Sequence, residues 1–184
     1  MTTNFLEKIK KKYQVQVDPA HSPDELREDF AAEIKNFLER YLAALDESLE
    51  DINSRAVMFF NKHEHQSVGA QDNFSKNFEK EVSYEIKNWI ATDETLRVNF
   101  KKIMTAYSKK LKSTDMKEIL QNELAKFENS LAQHVAKANA YGKSWTERMD
   151  NIGIVAIQSE TRMTIKWFKN LTVEELRRSF TIDT

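Results

Sequence analysis

The chain has 184 residues, enough for one domain with a sizeable core, and its charged residues, 31% of the total, balance to a net charge of -1. Three Gly and two Pro leave little room for turn-rich β structure, and the lack of Cys excludes disulfides, thiolate metal sites and cysteine nucleophiles. So even a charge balance gives no general pull toward nucleic acid, which is not the expected partner.

The first residues lack the continuous apolar core of a signal peptide, and no apolar run approaches the roughly 18 residues of a membrane span, so a cytoplasmic protein is expected. Residues 1–21 read as an N-terminal amphipathic arm. Phe5, Leu6, Ile9 and Tyr13 lie on one side of a short helix, opposite a lysine cluster that includes Lys8, Lys11 and Lys12; Pro19 then disfavours helix at Asp18. Residues 22–184 read as one helical bundle domain.

Helix-start signatures of the form Ser/Thr/Asp, two residues, Glu occur at Ser22, Asp115, Ser144 and Thr172, each ahead of apolar residues at helical spacing. From Ser22, with Pro23 at the first helical position, a helix is expected to run to about residue 61 or 65. Inside it Leu38, Leu42, Leu45, Leu49, Ile52, Ala56 and Phe59 step by four and three alternately, a heptad seam, and Phe30, Ile34, Phe37 and Tyr41 widen the stripe. At 1.5 Å per residue the helix is about 60 Å long, so one short partner could not cover it.

His63 to Asn73, with Gly69, reads as a loop. Phe74, Phe78, Val82, Ile86, Trp89 and Ile90 mark a third helix. Leu96, Phe100, Ile103, Tyr107 and Leu111 mark either a fourth helix capped at Thr92 or the continuation of one bent helix over 73–112. From Asp115 a further helix carries Leu120, Leu124, Phe127, Leu131, His134, Ala138 and Tyr141; Gly142 and Ser144 mark a stop and restart. Residues 152–168 combine β-prone residues with helical spacing and are read as helix, because no other strand candidate exists to pair with a hairpin. Thr172 starts a last short helix.

The segment Leu171-Thr-Val-Glu-Glu-Leu-Arg-Arg178 resembles the short terminal peptides that load cargo into encapsulin shells. Those peptides typically carry Gly where this chain has Glu174, and the capping box from Thr172 accounts for the same residues without a shell.

No metal, cofactor or catalytic site is expected. His63 and His65 are two apart, which on a helix turns their rings about 200° from each other, and no His has Glu three residues before it, as a helical di-iron site requires. Asp46 to Asp51 and Glu79 to Glu81 read as solvated helix faces rather than acid/base pairs. Residues 24–64 carry -6 and residues 95–126 carry +5, a division that suits antiparallel pairing within one chain or between copies.

The expected fold class is therefore all-α, a bundle of long antiparallel helices with coiled-coil-like heptad seams. The expected function is that of a non-enzymatic helical interaction protein: an adaptor, assembly or regulatory subunit. It would act through Leu38, Leu42, Leu45, Leu49, Ile52 and Phe59, with a second copy (a homodimer) or another helical protein as partner. The alternative is peripheral binding of lipid or another polyanion by Lys8, Lys11, Lys12, Lys101, Lys102, Lys109 and Lys110, which on a membrane surface would be weak without a lipid anchor.

Overall fold

A computed structural model describes residues 22–65 and 71–152. The described residues are all-α, with three helices and no strand: α1 Pro23–His63, α2 Gln71–Ser108 and α3 Ser113–Asn151. The arm at 1–21, the helix from Thr172, the encapsulin-like segment and residues 153–168 of the β-prone stretch lie outside the described residues.

Local chemistry fixes the start of α1. The Ser22 hydroxyl accepts the Glu25 backbone N–H at 3.2 Å, and Glu25 Oε2 accepts the Ser22 N–H at 3.3 Å, which is the reciprocal capping box. Asp24 and Glu25 in the first turn and Lys62 and His63 in the last complement the helix dipole.

Of the two alternatives for 73–112 the continuous helix is the one formed, and the stop expected at Gly142 is absent. α2 runs unbroken through Thr92, whose hydroxyl donates to the Asn88 carbonyl instead of capping a new helix. α3 runs unbroken through Gly142 and Ser144, with Gly142 buried beside Trp145, which is 2% exposed. A glycine inside a helix costs roughly 1 kcal/mol, and burying Trp145 and Met149 in the following turns outweighs it. α3 also begins at Ser113, ahead of the expected cap at Asp115; Asp115 instead sits in the first turn and pairs with Arg27 of α1.

α1 is the central element and packs extensively against both α2 and α3, which approach each other much less. On one side its ring partners fall along α2 as they rise along α1: Phe30 with Tyr107 at 5.1 Å, Phe37 with Phe100 at 5.3 Å, Tyr41 with Trp89 at 5.6 Å and Phe59 with Phe74 at 5.0 Å. On the other side the partners rise together, from Arg27 with Asp115, through Asp46 with Lys137 and Asn53 with Trp145, to Glu64 with Arg148. One apolar core runs between the three helices, reaching from Phe30 and Met116 to Phe60 and Met149.

Candidate functional site

The residues expected to form an interaction seam are packed inside the chain. Leu38, Leu45, Leu49, Ile52 and Phe59 are buried, none more than 6% exposed, and Leu42 is half-buried. With α2 and α3 unbroken, both neighbours are long enough to cover the stripe, so it offers no free surface to a second copy. A stripe longer than its neighbours was expected on the condition that they break near Thr92 and Gly142, and neither break is present.

At the half-buried end of that stripe Leu38, Leu42 and Phe127 floor a shallow groove of about 130 Å³, rimmed by Lys35, Glu39, Glu123 and Lys126. Ligand pockets hold roughly 300–1,000 Å³, so this one accommodates no more than a single side chain.

Of the basic residues, Lys8, Lys11 and Lys12 lie outside the described residues. Lys101, Lys102, Lys109 and Lys110 are exposed and form no ion pair among the described residues. They stand at the end of the bundle where α1 begins, and Asp24, Glu25, Glu28, Asp29 and Glu33 of α1 offset them. The two signs meet at Tyr107, whose hydroxyl donates to Glu33 Oε1 at 3.1 Å; burial, reinforced by Glu33 and Asp29, pushes its pKa up to about 12. Lysines following the end of α2 and acids opening α1 suit the two helix dipoles.

The carboxylates expected to be solvated divide. Glu47 and Asp51 are exposed, but Asp46 accepts from Lys137 at 2.9 Å and faces His134 Nδ1 at 3.4 Å, while Glu50 accepts from Lys137 and from the Tyr141 hydroxyl at 2.6 Å. Those hydrogen bonds hold the Asp46 and Glu50 carboxyls below their ordinary values and hold Lys137 above its own. Further along, Arg148 clasps Glu64 with two hydrogen bonds, 2.7 and 2.9 Å, donates to Asn61 at 3.0 Å and lies over the Phe60 ring, holding the Glu64 carboxyl down. These groups tie α1 to α3.

Between α1 and α2 the buried Tyr41 hydroxyl donates to Asp93 Oδ1 at 2.6 Å, and Arg97 Nε donates to Asp93 Oδ2 at 2.8 Å. Burial, then the Asp93 carboxylate, raises the Tyr41 hydroxyl far above the phenol range, so it stays neutral. The histidine cluster is dispersed: His63 stacks on Phe59 at 4.5 Å in the last turn of α1, and His65 is exposed beyond it. Among the described residues no three or more His, Asp or Glu come together as a metal ion would need, and no helix is long and apolar enough to cross a membrane.

One surface was missed by sequence reasoning. On the outer side of α2, away from α1, Asn88, Ile90, Ala91, Thr92, Thr95, Val98 and Asn99 are exposed, and Glu94 is the one charged residue exposed among positions 88–99. Tyr84, one turn earlier, is 60% exposed, with the Arg55 guanidinium of α1 5.9 Å from its ring centroid; Val98 is 52% exposed, and Ile90, about 100° around the helix from Ala91, 39%. Thr92 and Thr95 donate their hydroxyls to the carbonyls of Asn88 and Ala91, which satisfies those groups within the helix. Ile90 and Trp89 both marked the helix in sequence, and of the pair Trp89 alone is buried. The signal was present: Tyr84, Ala91 and Val98 are seven apart, opposite the buried Val82 and Trp89.

No protein-family model, curated protein or solved structure matches this chain.

Proposed function

We propose that the protein is a helical interaction protein, an adaptor, assembly or regulatory subunit without chemistry of its own, and that it engages another helix through the outer face of α2. The observation that carries this reading is the charge-poor stripe of Tyr84, Ala91, Thr95 and Val98, exposed on a chain in which 31% of residues are charged. In the architecture that goes with it, α1, α2 and α3 form a bundle with coiled-coil-like heptad seams in which neighbours in sequence are antiparallel. Its support is the order of ring contacts along α1 and α2 and the burial of the stripe from Leu38 to Phe59. A cytoplasmic setting belongs to the same reading and rests on the sequence.

The test is a photo-activatable residue placed at Val98 and irradiated in the native cell, with the same residue at exposed Glu47 of α1 as control. An adduct with one predominant polypeptide at position 98, absent at 47, is the expected result. No adduct at 98, or equal adducts at both, would refute the reading.

A further inference from the structure

Resting on that reading, we infer that the helix received by the outer face of α2 is α2 of a second copy, laid antiparallel across a twofold axis near Ala91. Two features of the stripe suit such an axis. Tyr84 and Val98 lie seven residues to either side of Ala91, so the axis brings the open face of each Tyr84 ring, whose other face carries Arg55 of its own α1 at 5.9 Å, toward the Val98 of the other copy. Ala91 is small and exposed, and at the axis it lets the two backbones approach closely.

Charge decides the direction. Lys87 and Glu94 occupy one flank of the stripe, both are exposed, and neither forms an ion pair among the described residues. An antiparallel pair sets like flanks against each other in opposite order, so each Lys87 meets a Glu94 of the other copy, twice over. A parallel pair would instead set this flank against the opposite one, where Asn88, Thr92 and Asn99 offer no charge. At the ends of the contact Lys102 falls opposite Lys80, a like-charge meeting that solvent and salt screen because both are exposed, while Glu81 is held by Arg55 of its own chain at 3.5 Å.

The contact from Tyr84 to Val98 is about 21 Å long at 1.5 Å per residue. A contact that short belongs with the small, weak and transient interfaces, and micromolar concentrations are where its dimer is sought.

Sedimentation equilibrium of the full chain from about 1 to about 100 μM tests this. The expected result is a reversible passage from 21.6 kDa to twice that mass. Val98→Glu and Glu94→Lys should each weaken it about tenfold or more, and Lys87→Glu combined with Glu94→Lys should restore it to within about threefold. All three positions are exposed, and unchanged circular dichroism will confirm that the variants fold. Because the chain has no Cys, Ala91→Cys gives one thiol per copy. A short bismaleimide should link two copies through it and fail to link Glu47→Cys.

A 21.6 kDa monomer throughout, a dimer indifferent to these variants, or equal cross-linking at positions 91 and 47 would overturn the inference. A monomer that still gives a Val98 adduct with a different polypeptide would overturn the second copy alone and leave the interaction reading standing. The absence of any Val98 adduct would remove both.

Discussion

Truncating Leu49 tests whether the long stripe on α1 is the core of one chain. Leu49 is 2% exposed, so Leu49→Ala removes three carbons from a filled site, worth about 2 to 2.5 kcal/mol at about 0.8 kcal/mol per CH₂. A residual void of about 50 Å³ adds roughly 1 kcal/mol at about 24 cal/mol per Å³, for a total near 3 kcal/mol. In urea, with a slope of about 2 kcal/mol/M, the unfolding midpoint followed by circular dichroism should fall by about 1.5 M. Leu42→Ala, at the half-buried groove, should cost about 1 kcal/mol because water already reaches the site, and Glu47→Ala under about 0.5 kcal/mol. The Leu49→Ala cost should be the same at every protein concentration, since both packing neighbours belong to the same chain. A cost that changes with concentration, or equal costs at 49, 42 and 47, would refute the intrachain packing argument.

Tyr41→Phe should cost about 1.5 to 3 kcal/mol in the same urea assay by removing a hydrogen bond to a carboxylate, and much less when Asp93 is already Asn; additive effects would show that the two side chains do not act together. Acid should destabilise the fold through Asp46, Glu50 and Glu64, whose folded pKa values lie below their unfolded ones. Their stabilisation is present above the unfolded carboxylate range of about 4 and is lost as pH falls through the folded values, so the melting temperature should drop below about pH 4. Replacing the three by Asn, Gln and Gln should flatten that limb, and an unchanged limb would count against the pairing. Arg148→Ala should speed amide hydrogen exchange in the last turn of α1 near Phe60 and Asn61 more than in its first turn near Leu26, because it removes the clasp on Glu64; uniform acceleration would contradict that local role.

Much of α1 was legible because its signals are local. The Ser22 capping box, Pro23 at the first turn and apolar residues at helical spacing each act within a few residues, and the helix begins and ends where they place it. The all-α class follows from the same periodicity carried through the described residues.

What only the tertiary structure decided depends on partners far away in sequence. Thr92 and Gly142 carry valid local stop signals, yet burial of Trp89 and Phe100 on either side of the first, and of Ala138 and Trp145 around the second, holds α2 and α3 continuous. That continuity turned Leu38 to Phe59 from a candidate surface into core. Whether a carboxylate is solvated is likewise a matter of what stands opposite: Asp46 and Glu50 look like Glu47 and Asp51 in sequence, but Lys137, about ninety residues on, faces the first two. The outer face of α2 emerged the same way, since a helix rich in apolar residues on several sides shows which of them is free only when its neighbours take their places.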